Sequence, residues 1–370
     1  MNRQNTIQAK PERPTLGRLY FAATTLAILL ALFLAELLVR LTGVMSSYTE
    51  RNGLPYASPH TWRHDVPWLH VAKSNAVFRD TKLEFDIEIQ TNSEGLRDIE
   101  HTTAKPDGVY RIIGLGDSST MGNGAAFEDT YLQVLQRDMD RQRGAVRIEV
   151  IAAGHWGSDP VFYYQLLRKR LLKYNPDLVL IALNDTDITD MILRGGMARF
   201  GPDGMVRLDS GPWFEWLYAR SHVIRLLVHE VFGYQWDLLP PRTYPSREKQ
   251  ALADILDVLL AIKALATQYQ FEMLVFHHPL FYHLQKTLPP SALQSFCVTL
   301  TASGFRCVDL TPTFRQRIKP NEIWDYYWPR DLHYKPIGYK VLAESLEELL
   351  YTVPGFPTEQ LHARDTSQEQ

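Results

Sequence analysis

From residue 109 to residue 350 the chain alternates short apolar runs with longer amphipathic ones. No other feature restricts its fold as much. The apolar runs lie at 110–115, 146–152, 178–183, 271–277 and 305–309. They are short, rich in β-branched residues and bounded by turn formers, so each is expected to be a strand. Helices are expected at about 130–142, 160–174, 246–268, 290–303 and 336–350. Pro160 and Pro336 stand where the first turn of a helix accepts proline. Such alternation predicts a parallel sheet with helices on both faces. Residues 186–245 are the one break, too long for an ordinary connection. This insert holds Trp213, Phe214, Trp216, Tyr218, Phe232, Tyr234 and Trp236. Its aromatic residues either line a binding groove, with Trp213 and Trp216 as substrate contacts, or pack as a helical subdomain.

The N-terminal part follows other rules. Residues 1–18 are basic, with Arg3, Lys10, Arg13 and Arg18 opposed only by Glu12. Leu19 to Ala35 carries no charge, and Leu37, Leu38 and Val39 extend the run past Glu36. Residues 19–41 are therefore long enough to span a bilayer. Glu36 and Arg40 lie four apart and can pair near its surface. A cleaved signal peptide would have a shorter apolar core followed by a small-x-small site, and none follows. The basic flank places the N-terminus in the cytoplasm and everything after about residue 45 outside it. Residues 45–108 are expected to form a stalk with a small β element, because Leu83, Phe85, Ile87 and Ile89 alternate with polar residues. Asn92-Ser93-Glu94-Gly95 reads as a turn. The scattered His60, His64 and His70 suggest packing or surface positions, not a metal site. Residues 351–370 are expected to be a polar tail.

With 370 residues, 45% of them hydrophobic, the chain can bury one large catalytic domain. A net charge of −3 offers no nucleic-acid footprint. Cys297 and Cys307 lack zinc-ligand spacing. One lies on an expected helix and the other on the next strand, so two buried thiols are expected in preference to a bridge.

The first strand leads into Gly116-Asp117-Ser118-Ser119-Thr120. A serine there reaches the carboxyl edge of the sheet, where open α/β sheets bind ligands. Ser118 reads as a helix cap or as a nucleophile. A dinucleotide fingerprint through Gly114 and Gly116 fails at Ser119, and no Gly-Lys-Ser/Thr follows for a P-loop. Gly154, after the second strand, lets a backbone N–H approach a ligand. Asn184, after the third, is an amide donor suited to an oxyanion, or else an Asx turn. Asp185, Asp187 and Asp190 lack the glycine of a calcium loop and read as caps and turns. After the fifth strand, Asp331-Leu332-His333 places an acid beside a base on one loop. His277 and His278 are rival bases with no adjoining acid.

Gly116-Asp117-Ser118, Gly154, Asn184-Asp185 and Asp331-x-His333, in that order over residues 109–350, resemble the four blocks of the SGNH (GDSL-type) hydrolases. The anchor and Asn92–Asp98, reading NSEGLRD, resemble membrane-anchored bacterial members. The resemblance implies a flavodoxin-like three-layer α/β/α domain with a five-stranded parallel sheet of order 2-1-3-4-5. It implies Ser118 as nucleophile, His333 as base and Asp331 as its orienting acid. The Ser118 N–H, the Gly154 N–H and the Asn184 side chain would form the oxyanion hole. Neither cofactor nor metal is implied. Two departures stand out: Ala182 replaces the glycine of the third block, and the last block is Asp-x-His where Asp-x-x-His is common. The reading is an esterase, with an O-acetylated surface glycan as substrate; an acyltransferase acting on a glycan and a non-catalytic anchored scaffold are the alternatives.

Overall fold

Five strands form one parallel sheet. A two-stranded hairpin, β1 (Val77–Thr81) and β2 (Asp86–Gln90), precedes it. The sheet strands are β3 (Val109–Gly116), β4 (Arg147–Gly154), β5 (Leu178–Leu183), β6 (Glu272–His277) and β7 (Cys307–Asp309). Their spatial order is β4-β3-β5-β6-β7, which is the expected 2-1-3-4-5. The computed structural model describes residues 16–44, 71–142, 144–199, 214–233, 244–285 and 289–362.

The apolar content of the strands explains why helices cover both faces. In β5 every residue is buried. Val179, Ile181 and Leu183 meet helices Pro160–Leu166, Asp185–Arg194, Tyr244–Tyr269 and Ala292–Ala302. Leu178, Leu180 and Ala182 meet helices Tyr131–Asp140, Thr311–Arg317 and Pro336–Leu350. A strand buried on both sides reads as a continuous hydrophobic run, as this one does.

Some boundaries differ from expectation. The helix after Pro160 keeps its α form only to Leu166, widens to a π turn over Leu167–Leu171 and ends in a 3₁₀ turn at Tyr174. Residues 186–194, at the start of the expected insert, belong to a regular helix, Asp185–Arg194, capped by Asn184. Past residue 350 the chain continues to pack on the domain: Val353, Phe356 and Leu361 are buried, and Gln360 O accepts from Ala145 N. Trp213, His60, His64 and His70 lie outside the described residues.

The cysteine expectation is corrected, because Cys297 and Cys307 form a disulfide. Helix Ala292–Ala302 packs against β7 and brings the two Cα atoms to 5.5 Å, inside the range a bridge spans. After denaturation without reductant, the intact protein is expected to take up no thiol alkylator; a mass shift of two alkyl groups would restore the free-thiol reading.

The N-terminal helix Leu16–Thr42 is apolar, has no fully buried residue and is long enough to cross a membrane. At 27 residues it runs about 40 Å.

Candidate active site

β3 ends at Gly116, and Asp117 caps a single helical turn, Ser118–Met121, by accepting the Ser119 N–H. Ser118 is the first residue of that turn, at the carboxyl edge of the sheet. Two close approaches require glycine here. A Cβ on Gly154 would collide with the backbone at Thr120 and Met121, so only glycine lets the turn sit over the end of β4. A Cβ on Gly116 would collide with Thr120 and stand 3.1 Å from the Ala182 methyl. The methyl of Ala182 thus occupies space that Gly116 leaves open.

The structure brings Ser118, Asp331 and His333 together. Ser118 Oγ is 2.7 Å from His333 Nε2, and His333 Nδ1 is 2.6 Å from Asp331 Oδ1. With the proton on Nδ1 facing the carboxylate, Nε2 offers its lone pair to the serine hydroxyl. Burial disfavours the imidazolium, but the Asp331 carboxylate outweighs it and raises the His333 pKa. Burial also opposes the Asp331 charge, which His333 restores, so its carboxyl is held below the usual value.

The short Asp-x-His spacing works because Leu332 adopts φ 71°, in the left-handed region. That turn is pinned by Leu332 N donating to Trp328 O and Trp328 N donating to His333 O, both at 2.9 Å. His333 then faces Ser118, with Asp331 behind it on the other ring nitrogen.

Three supporting residues were not identified from sequence. Glu84, in the hairpin turn, accepts the N–H groups of Arg330 and Asp331. Asn123 donates to Asp331 Oδ1 at 3.2 Å and accepts from Trp156 Nε1 at 2.9 Å. Arg97, within NSEGLRD, donates to Met121 O and Gly122 O at the end of the turn that begins at Ser118, and to Ala125 O just beyond it. The only sequence signal was NSEGLRD itself, in which Asn92 Oδ1 accepts from Glu94 N and Leu96 N to make the turn.

Asn184 does two things at once. Its Oδ1 caps helix Asp185–Arg194 through Thr186 N, and its Nδ2 donates to Asp117 Oδ2 at 2.8 Å. Nδ2 also lies 3.2 Å from His278 Nε2. Tyr334 donates its hydroxyl proton to Pro279 O, so its oxygen accepts from His278 Nδ1. The proton of His278 therefore sits on Nδ1, and Nε2 faces the amide as an acceptor. Burial lowers the His278 pKa to about 4, so this ring is neutral at pH 7.

His278 is thereby a partner of Asn184, not a base for Ser118. His277 does have acids, contrary to expectation: its Nδ1 is 2.8 Å from Asp309 Oδ1, and its Nε2 is 3.7 Å from Asp185 Oδ1. The acids come from the end of the next strand and from the start of helix Asp185–Arg194, not from adjacent positions. Asp185, His277 and His283 place three potential ligand atoms near one another. Their hydrogen bonding defines them differently. His283 Nδ1 accepts the Leu280 N–H, so its proton is on Nε2 and points at Asp185 Oδ2, 3.0 Å away. A protonated nitrogen is no metal ligand. Asp185 also accepts from Tyr282 and Ser291, and works as a hydrogen-bond hub. Asp187 completes the capping box with Asn184, and Asp190 faces Arg194.

Trp216 is 57% exposed on helix Glu215–Arg220, whose end is tied to the apolar N-terminal helix.

A scan against family models finds no match, and a search of curated proteins finds none. Among solved structures the chain is similar to the acetyl xylan esterase AlAXEase, at 13% identity and a TM-score of 0.41, covering 65% of this chain and 98% of that one. It is also similar to the lipase Lip_vut3 from a goat rumen metagenome, at 16% identity and a TM-score of 0.41, covering 67% and 98%. A third is the lipase/acylhydrolase from Enterococcus faecalis, at 14% identity and a TM-score of 0.38, covering 66% and 97%.

Proposed function

We propose that the chain is an SGNH-type serine esterase held at a bacterial inner membrane by residues 19–41, with its catalytic domain outside the cytoplasm. The observation that carries this reading is the continuous hydrogen-bonded line Ser118 Oγ, His333 Nε2, His333 Nδ1, Asp331 Oδ1. A serine hydroxyl is a weak nucleophile until a positioned base accepts its proton. Ser118 Oγ attacks the ester carbonyl carbon as its proton passes to His333 Nε2. His333 then returns that proton to the departing alkoxide, leaving an acyl-enzyme. Water attacks the acyl carbonyl, His333 takes one of its protons, and the carboxylic acid product leaves as that proton returns to Ser118. Asp331 stabilises the imidazolium in both steps.

The Ser118 and Gly154 N–H groups and the Asn184 amide are assigned to the oxyanion. A charged oxyanion is a better acceptor than the neutral His278 ring that holds one Asn184 N–H in the free enzyme. Asn184→Ala is therefore expected to lower kcat roughly 10²–10³-fold with little change in KM. Equal kcat in the folded variant would remove Asn184 from the oxyanion site. The choice of an O-acetyl group on a surface glycan rests on the resemblance of the sequence to anchored SGNH members. The extracytoplasmic placement is supported by the basic flank and the disulfide, a bond that persists in oxidising compartments. A reporter active only outside the cytoplasm, fused after Gln370, is expected to be active; activity of a cytoplasm-only reporter there would reverse the topology.

The direct test is covalent. The detergent-solubilised full chain, treated with a fluorophosphonate, is expected to carry the label on Ser118. Labelling at another residue, or none in folded protein, would overturn the nucleophile assignment.

A further inference from the structure

We propose that the short helices of residues 215–231 lie on the bilayer surface beside the apolar N-terminal helix, holding the catalytic loop close to the membrane. The inference rests on reading Leu16–Thr42 as an anchor.

Glu36 is the first charged residue after the uncharged run from Leu19. It pairs with Arg40 at 2.7 Å, as helical spacing predicts, but its carboxylate does more. It accepts Ser221 Oγ at 2.7 Å, His222 N at 2.9 Å and Val223 N at 3.0 Å. Those are the leading donors of helix His222–Leu226, which continues as a π turn to Val231. Arg40 Nη2 donates to Arg220 O, the last carbonyl of helix Glu215–Arg220. A carboxylate thus meets one helix N-terminus and a guanidinium meets the other helix's C-terminus, each matching the local dipole. The joint between the two helices is fastened to the anchor near the outer end of the 19–41 span, and so near the level of the bilayer boundary.

The outer side of this pair carries large apolar side chains that an element surrounded by water would turn inward. Tyr218, Arg225 and Val228 are turned inward and buried. Among the described residues, Trp216, Leu227, Val231 and Phe232 are exposed, the last two at 66%, together with the charged Arg220 and Glu230. Leu227 and Val231 lie four apart on one face. Exposed apolar side chains with a tryptophan and flanking charges suit the headgroup and acyl boundary. Its continuity with the anchor selects lipid as the occupant.

The catalytic loop is tied to the same place. Arg330 Nη1 donates to Thr42 O at 3.1 Å, and Arg330 precedes Asp331. From Glu36 to Thr42 a helix rises about 9 Å. The loop that carries Asp331 and His333 is therefore tethered through the Arg330 side chain to the outer end of the anchor helix, within reach of an ester borne by a membrane-held molecule.

The test uses the full chain in vesicles of phosphatidylcholine and phosphatidylglycerol containing a shallow nitroxide lipid. Its two native cysteines are bonded, so Val231→Cys and Phe232→Cys each offer one thiol for a bimane fluorophore. Leu29→Cys, in the anchor, and Lys340→Cys, exposed on helix Pro336–Leu350, are the references. Labels at 231 and 232 are expected to be quenched by the nitroxide lipid as clearly as the label at 29, with 340 unquenched. Quenching at 29 but not at 231 or 232 overturns this inference and leaves the anchor standing. No quenching at 29 overturns the anchor reading as well. Labels at 231 and 232 that escape the lipid nitroxide yet are shielded from aqueous iodide would put protein on this face, and would also overturn it.

Discussion

Ser118→Ala and His333→Ala are each expected to cut hydrolysis of a small chromogenic ester by roughly 10⁴- to 10⁶-fold, and the double variant is expected to be little worse than either. The non-additivity follows from the geometry. Nε2 of His333 has one task in the free enzyme, the serine proton 2.7 Å away, so removing either partner ends the same proton transfer. Asp331→Asn is expected to cost less, because nucleophile and base both remain. Its amide can present an N–H to His333 Nδ1 where a carboxylate oxygen stood, favouring the wrong tautomer. The pH profile gives a separate readout. His333 must be neutral to act as base, and its pKa is raised by Asp331 against the opposing effect of burial. Activity is therefore lost as pH falls through a value above that of a free histidine, about 6.5. Asp331→Asn removes the charge that favours the imidazolium, so the acid limb should move to lower pH. Wild-type rates in a folded Ser118→Ala protein, or a limb that stays put in Asp331→Asn, would dismantle the triad.

The parts of this site that were legible in the sequence are those set by backbone pattern. β5 reads Leu-Val-Leu-Ile-Ala-Leu, and no polar residue competes with the strand assignment. Ser118 and Asn184 each follow a strand and Gly154 ends one, so the parallel topology gathers these three at one edge, whereas Asp331-x-His333 comes only after helices Thr311–Arg317 and Ile323–Tyr326. What was not legible depends on contacts between distant segments. β1 reads Val-Phe-Arg-Asp-Thr and has no apolar period. It is a strand because β2 pairs with it from Val77↔Gln90 to Thr81↔Asp86. Glu84 in a turn and Arg97 in a loop look like solvated charges until the fold places the Asp331–His333 loop on one and a helix end on the other. Leucine is among the last residues expected at positive φ, yet Leu332 takes it to bring Asp331 to His333. The cysteine pair was decided by how a helix lies on a strand, which a spacing of 10 residues does not encode. The aromatic insert was ambiguous for a related reason. Its residues can face a groove, a core or a lipid surface with the same composition, and only Glu36 and Arg40 reveal where residues 215–231 are attached.

Asp159→Ala is expected to lower folding stability by about 3–5 kcal/mol. The carboxylate is fully buried and faces two buried guanidiniums, with Arg194 Nη1 at 2.9 Å and Arg199 Nη1 at 2.5 Å. Its other oxygen caps the helix at Pro160 through Val161 N and Phe162 N. Burial opposes its charge, but the two arginines more than compensate, and its pKa is held below the usual carboxylate value. Truncation leaves two cations in the interior. Arg194 keeps Asp190 at 3.4 Å, whereas Arg199 loses the carboxylate it hydrogen-bonds among the described residues. Asp159→Asn preserves the cap, since asparagine serves there as well as aspartate, and isolates the charge contribution. The sign of the pH dependence follows from the lowered pKa. This stabilisation is complete above the unfolded value of about 3.9 and is lost as pH falls through the lower folded value. The check is urea unfolding of the solubilised chain beside Asp138→Ala, whose pair with the exposed Arg141 should contribute about 0–1 kcal/mol. If the two substitutions shift the midpoint equally, the buried cluster does not hold this part of the fold. If Asp159→Ala falls far below, its effect on catalysis must be read through folding first. Asp159 closes the loop that begins at Gly154, so the ion cluster and the assigned oxyanion N–H share one short segment of chain.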